Sequence, residues 1–318
     1  MTAEIVLCWS EESGLAGDLV RLARSLAVAP EDRVLAANLD ANGDDAPHRF
    51  AEAGAHGILE LADGPVASTD PHAIATGLRG LVESSGATLV LLGSTKRGRE
   101  IAGRLAGLLD APAETGVSRL HLDAGAVAVE REMLSGNAVA RETVLRRPAV
   151  VAVTPGFSAP APSPTAPKVE RVPVTGVSAL TERVELRPKP SGGVHLETAE
   201  RIVTIGRGLQ KKEDLALIEA LATELGASVG CTRPLAAEAG WMSDDHWIGL
   251  TGHRVKPRLY IAVGLSGAVQ HLVGMRDSRT VVAINKDPNA PIFEQADYRV
   301  TADLYAMVPA LTKVLREK

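Results

Sequence analysis

Apolar and polar positions follow two different spacings along this chain, and the places where the spacing changes divide it. Ile5–Trp9 (IVLCW) is a short apolar run, followed by helical periodicity over 13–28 (SGLAGDLVRLARSLAV). Arg33–Leu39 reads as a strand, Pro47–Ala55 as a helix and Gly57–Leu61 as a strand. Residues 72–84 read as helix, 88–93 (TLVLLG) as a buried strand and 97–109 (RGREIAGRLAGLL) as an amphipathic helix. Apolar strands separated by helices predict a mostly parallel sheet, because parallel neighbours need a crossover connection. Over 125–155 the rhythm turns to β without long helices (AVAVEREM, NAVARETVL, AVVAVTPG), which predicts a partly antiparallel meander added to that sheet.

A Pro-rich excursion over 156–168, containing APAPSPTAP (159–167), favours extended chain. KVERVPV (168–174) and ERVELRPK (182–189) read as extended segments reaching a neighbour, and PKPSGG (188–193) as a second break. From Ile202 the alternation restarts: RIVTI with a Gly-rich loop, a helix over 211–225 with Glu213 and Asp214 near its start, then ASVGCTR, RLYIAVG, a helix beginning in 267–275, TVVAIN, YRVTAD and a last helix over 303–317. The expectation is an α/β chain of two domains. Residues 1–195 form an N-terminal, mostly parallel sheet with helices and a β meander, and residues 196–318 a C-terminal doubly wound domain.

Composition narrows the chemistry. Of 318 residues 45% are hydrophobic and only 3% aromatic, so the core is aliphatic. The net charge of −5 and the absence of a Lys/Arg cluster argue against nucleic-acid binding. Cys8 and Cys231 form no CxxC and read as free core thiols; the eight histidines show no HxH or HExxH spacing, so no metal is expected. MTAEIVLCW reads as a first strand rather than a signal peptide, and no run reaches the roughly 18 apolar residues of a membrane span. A cytoplasmic protein without direct membrane insertion is expected.

Ligands of doubly wound sheets sit outside the carboxyl ends of the strands. In the C-terminal half every strand delivers polar residues there: Gly206-Arg207-Gly208, then Thr232-Arg233, then Ser266-Gly267 with Gln270 and His271, then Asn285-Lys286-Asp287, then Thr301 and Asp303. Together they point to a cleft for a polar, phosphorylated ligand. Each also has a plainer reading. The glycines can turn the chain, Ser266 can cap a helix starting at Gly267, His271 can be a hydrogen-bonded core residue, Asn285 and Asp287 can be turn residues, and Asp303 can cap the last helix. Gly264-Leu265-Ser266-Gly267-Ala268 lacks the second glycine of a G-x-S-x-G elbow, so a hydrolase ranks low. In the N-terminal half only GSTKRGREIAGRLAG (93–107) resembles an anion site, and a capped, solvated helix start explains it better.

The stretch LYIAVGLSGAVQHLVGMRDSRTVVAINKDPNAPIF (259–293) resembles the signature of the electron-transfer flavoprotein alpha subunit. The resemblance extends through 201–316 (GRGL, TRP, AGW, TG, ADY, DLYAMVP) and more loosely to KRGREIAGRLAG and GNAVARETV. It implies a chain that pairs with a beta subunit as a heterodimer and carries most of an FAD site in its C-terminal domain. AMP, or a second FAD, is expected in the beta subunit. Electrons would come from flavoprotein dehydrogenases, as in fatty acid beta-oxidation, and pass to a membrane quinone reductase or similar acceptor. The chain would be a carrier, not a substrate-converting enzyme.

Carried over, the resemblance places FAD against Arg207, then Thr232 and Arg233, then Ile248, Gly249, Leu250 and Thr251 of WIGLTG. Next come Ser266, Gly267, Ala268, Val269, Gln270 and His271, with Asn285, Asp303 and Leu304 at the adenylate end. His271 and Arg233 would stabilise charge on the reduced ring, and Thr251 would face flavin N5. The sequence departs from the family pattern at Leu250, where Gln is common, at Ile205 in place of Gly, at Trp247, and in RPLAAEAG (233–240), which is one residue longer. The alternative is an adenine-nucleotide-binding module that has lost flavin redox function.

Overall fold

The computed structural model describes residues 3–39, 45–62, 66, 70–123, 125–134, 138–157, 160–161, 163–185 and 195–317. It divides into two compact units, Met1–Leu186 and Arg187–Lys318. The second break at 188–193, Ser158, Ala159 and Pro162 of the Pro-rich excursion, and Gly136 and Asn137 of GNAVARETV lie outside the described residues.

In the first unit the strands are β1 (Ile5–Trp9), β2 (Arg33–Asn38), β3 (Gly57–Leu61), β4 (Leu89–Gly93), β5 (Ala113–Asp123), β6 (Ala126–Met133), β7 (Ala138–Val144), β8 (Ala149–Val153) and β9 (Lys168–Val172). The helices are α1 (Ser13–Leu26), α2 (Ala46–Ala53), α3 (Pro71–Ser85) and α4 (Lys96–Leu109). One sheet runs β7-β6-β5-β8-β4-β1-β2-β3-β9. It is parallel from β5 to β9, and β5-β6-β7 form an antiparallel ribbon at one end.

The central strands are continuously apolar because both faces are covered. On β1, Val6 and Cys8 pack among α1 and α2, while Leu7 and Trp9 pack among α3 and α4. KVERV becomes the edge strand β9, whereas residues 182–185 of ERVELRPK form no strand. Strand β5 departs from the expectation: of AETGVSRLHLD only Val117 is fully buried, and alternation is confined to its last five residues, where Leu120 and Leu122 pack against the core.

The carboxyl edge of this sheet is closed at GSTKRGREIAGRLAG (93–107), the stretch that resembles an anion site. Thr95 caps α4 by accepting from the Gly98 N–H at 2.8 Å, and its hydroxyl meets the Glu11 carboxylate. Ser94 Oγ accepts from the Gly116 N–H at 3.1 Å. The loop therefore satisfies its own helix start and sets an acid where a phosphate would sit.

The second unit is a five-stranded parallel sheet of β10 (Arg201–Ile205), β11 (Ser228–Cys231), β12 (Leu259–Val263), β13 (Val281–Asn285) and β14 (Tyr298–Thr301), in the order β11-β10-β12-β13-β14. Helices α5 (Leu215–Leu225) and α7 (Leu304–Arg316) cover one face, over Val203, Ile205, Ile261 and Val263. The other face, with Ile202, Tyr260 and Ala262, is covered by the short helix α6 (Val269–Leu272) and by loops carrying Ile248, Val255, Leu265, Met275 and Ile292. The chain goes one way from β10 to β11 and the other way from β12 onward. The switch point of the sheet therefore lies between β10 and β12, where a crevice opens at the carboxyl edge. Cys8 and Cys231 are both buried and free, as read; burial pushes the Cys231 thiol up to about 12, with Asp244 adding to the rise. Among the described residues no helix is long and apolar enough to cross a membrane.

Candidate functional site

A cavity of about 640 Å³ opens at this switch point, within the range of sites that hold sizeable small molecules. Its floor is made by two loops packed backbone against backbone. The Gly208 N–H donates to the Gly264 carbonyl at 3.0 Å, and a Cβ on Gly208 would lie 2.7 Å from Gly264 Cα. Gly206 and Gly208 do not take positive φ; glycine is needed here because the loops after β10 and β12 touch. Gly267 does take positive φ (+87°), and a Cβ there would lie 2.2 Å from the Ile292 nitrogen.

The turn after β12 differs from its expected form. Helix α6 starts only at Val269, with Ala268 before it and no side-chain cap. Ser266 is therefore not an N-cap. It is exposed on the cavity, and its carbonyl accepts from the Ile292 N–H at 3.1 Å, which ties the turn to the segment after β13. Asn285 clamps the same region: its Nδ2 donates to the Leu265 carbonyl at 2.6 Å and its Oδ1 accepts from the Asp287 N–H at 3.0 Å. Both ends of that amide are engaged, so Asn285 lines the cavity mainly as a brace.

The WIGLTG loop is fastened to α6. The Leu250 N–H donates to the Gln270 carbonyl at 2.7 Å, and the Gly249 N–H to the His253 carbonyl at 3.1 Å. This brings Ile248, Leu250 and Thr251 to the cavity beside Gln270 and His271. Arg233 stacks on Trp247, its guanidinium carbon 5.3 Å from the ring centroid, a favourable cation–π distance that holds the charge at the rim. The segment after Arg233 forms a π-helical turn over Pro234–Glu238, with the Ala239 N–H donating to the Pro234 carbonyl at 2.9 Å.

Two buried polar atoms of the cavity residues lack a well-aligned hydrogen-bond partner: Thr232 Oγ1, and His271 Nδ1, although the Ile248 carbonyl acts on the His271 ring. Buried polar atoms are nearly always paired, so these two are polar atoms of the cavity residues with hydrogen-bonding capacity left over. His271 is 6% exposed, and its Nε2 lies 2.8 Å from the Tyr260 hydroxyl, not on Ser266. Burial pulls its pKa down to about 4, and the Ile248 carbonyl offsets only part of that, so the imidazole is neutral at neutral pH.

The expected residues thus divide. Arg207, Thr232, Arg233, Ile248, Leu250 and Thr251 line the cavity, as do Ser266, Gly267, Ala268, Gln270, His271 and Asn285. Gly249, Val269, Asp303 and Leu304 are not among its lining residues. Gly249 is buried at the junction with α6, and Val269 is 44% exposed as the first residue of α6. Asp303 caps α7 through the Tyr305 N–H at 2.8 Å, and Leu304 is a core residue beneath Gly264. Ala290 and Pro291 also line it and were not singled out from sequence, because they are small apolar residues brought in by the Ile292–Ser266 contact.

Comparison with known proteins agrees with this layout. The electron transfer flavoprotein domain family matches residues 16–179, and the electron transfer flavoprotein FAD-binding domain family matches residues 195–276. The chain is 37% identical over 243 residues to "Putative electron transfer flavoprotein subunit YdiR" of Escherichia coli K12, covering 76% of this chain and 78% of that protein. It is 36% identical over 228 residues to Protein FixB of Salmonella typhimurium, covering 71% and 73%, and 36% identical over 229 residues to Protein FixB of Escherichia coli O1:K1, covering 71% and 73%. A two-unit α/β chain, matched along both units at this level of identity, belongs to the electron transfer flavoprotein family as a subunit of the alpha type.

Proposed function

We propose that the chain is the FAD-binding alpha subunit of a heterodimeric electron carrier. The observation that carries this is the switch-point cavity with two buried polar atoms that lack a well-aligned partner, Thr232 Oγ1 and His271 Nδ1. The residues present suit FAD. Arg207 and Arg233 supply cations for a diphosphate or a charged ring edge, and Ile248, Leu250 and Trp247 supply apolar surface for a flat ring. When bound, the flavin supplies one- and two-electron redox chemistry. The chain's own residues bind and orient it. Thr251 and Gln270 offer polar groups on the cavity, His271 offers a neutral imidazole, and the Gly206–Gly208 and Gly264–Gly267 loops let the ligand approach the backbone.

The beta subunit, with AMP or a second FAD, would complete the carrier. Flavoprotein dehydrogenases would donate and a membrane quinone reductase or similar acceptor would receive, in the cytoplasm. The chain would then convert no substrate of its own. Co-expression with the beta subunit tests this. An assembled heterodimer with a flavin absorption spectrum and bound FAD is expected, and an assembled heterodimer without flavin overturns it. Calorimetry in which ADP binds more tightly than FAD would favour the nucleotide-module alternative, for which Leu250 on the cavity is the specific motive.

A further inference from the structure

At the edge of the second sheet away from the switch-point cavity, the starts of β10, β12 and β13 set three arginines together. The sequence RVKPR (254–258) runs into β12 with Val255 and Pro257 buried and Arg254, Lys256 and Arg258 exposed. The Arg258 N–H donates to the Glu200 carbonyl at 2.8 Å, which seats Arg258 beside the start of β10. The Arg279 N–H donates to the Pro257 carbonyl at 2.9 Å, which seats Arg279 on its other side, just before β13. Arg201 opens β10 in register with Leu259. Arg201, Arg258, Leu259, Arg279 and Thr280 line a crevice of about 320 Å³, half the volume of the switch-point cavity.

Like charges on neighbouring strands repel, so cations set side by side destabilise a sheet edge unless an anion neutralises them. Among the described residues, Arg258 and Arg279 have no ion pair and no side-chain hydrogen bond, and Arg201 uses only Nη1, on the Leu225 carbonyl at 2.7 Å. The acids nearby do not neutralise them. Glu200 and Asp277 are exposed and form no ion pair with these arginines, and Asp297 Oδ2 accepts from the Val281 N–H at 2.8 Å. The chain as a whole carries −5, so the positive surplus is local and does not follow from composition. A guanidinium is a planar fork that takes two oxygens of one phosphate. Two free forks side by side match two linked phosphate groups, and Arg201 and the Thr280 hydroxyl add further donors to the same crevice.

We infer that this crevice is a second binding site, for a ligand bearing a diphosphate group held between Arg258 and Arg279. The diphosphate can be free or part of a nucleoside diphosphate, since the arginines read the phosphates and not a base. The site stands apart from the function proposed above, because it shares no lining residue with the switch-point cavity.

The test titrates the full chain with inorganic diphosphate at physiological ionic strength and follows the arginine Nε–Hε signals, assigned with Arg258→Gln and Arg279→Gln. Both signals are expected to shift together, with a Kd of about 1 mM or tighter. Combining the two substitutions is expected to weaken binding at least about tenfold, the worth of one hydrogen bond to a charged group, while Arg207→Gln in the cavity leaves these shifts unchanged. An unmoved thermal midpoint checks folding of the variants, and the wild-type shifts decide alone if the double variant does not fold. Arg258 and Arg279 signals that do not move overturn the inference, as does undiminished affinity in the folded double variant, or sulfate bound as tightly as diphosphate. ADP bound as tightly as diphosphate at these two signals assigns the site to nucleotides, and weaker ADP assigns it to free diphosphate. FAD content of the assembled heterodimer is expected to be the same in the double variant, so loss of either idea leaves the other standing.

Discussion

At the scale of single residues, the site is defined by which buried polar atoms have hydrogen-bonding capacity left over. His271 is the clearest case because its burial has a measurable cost. Its folded pKa, about 4, lies below the ordinary value of 6.5. Between these values the unfolded chain binds more protons than the folded one, so stability rises with pH through this window and is lost as pH falls. From pH 7 to pH 5 this group should remove about 2 kcal/mol. Urea unfolding of wild type and His271→Gln at both pH values checks it, with the substituted chain expected to lose about that much less.

Arg233 carries a different expectation. Its guanidinium rests on Trp247 at the cavity rim, so Arg233→Ala should make a bound flavin harder to reduce by one electron. The expected shift is roughly 60 mV, the one-electron equivalent of about 1.4 kcal/mol. An unchanged potential in a redox titration would reject that role.

The sequence displays the polar residues at the strand ends but not their bonding. Asn285 and His271 look alike as candidates, yet Asn285 uses both ends of its amide on neighbouring loops while His271 keeps a nitrogen without a well-aligned partner. Asp303 and Thr95 prove to be helix caps because the nearest N–H groups are those of their own helices.

At the scale of elements, regular periodicity was legible and long-range docking was not. The helices of the first unit and the parallel strands of both units other than β5 and β9 follow from apolar spacing. The start of α6 does not, because the residues before it are pulled onto Ile292, a contact between segments far apart in sequence. Strand β5 was hidden for a related reason: it gains its place largely by pairing with β8 and β6, with Val117 its one fully buried side chain. The same docking makes a prediction. Gly267→Ala combines a left-handed φ with a clash against backbone and should destabilise by at least about 2 kcal/mol. Gly103→Ala, on α4 with nothing near the new Cβ, should stabilise by about 0.5–1 kcal/mol. Thermal unfolding of the two variants should move in opposite directions.

At the scale of the whole molecule, the two sheets divide the work. In the first unit the loop after β4 is closed by Thr95, Ser94 and Glu11, whereas the second unit's switch point opens onto a cavity. Both are α/β sheets read correctly from alternation, yet periodicity alone does not reveal which edge is open. That depends on whether loop polar groups bond one another or are left free. The family resemblance found the open one through the long match over 259–293, and the geometry accounts for it in the paired loops after β10 and β12.

The central claim is that this cavity holds the flavin, and Ala268 gives the most direct access to it. Ala268 is exposed on the cavity and belongs to no helix, so a large side chain there fills the site without disturbing the core. The measurement is FAD content per assembled heterodimer for wild type and Ala268→Trp, with heterodimer formation checked by size. The account predicts stoichiometric FAD in the wild-type alpha subunit and its loss, by at least about tenfold, in Ala268→Trp. FAD retained at the wild-type level in an assembled Ala268→Trp heterodimer would contradict it.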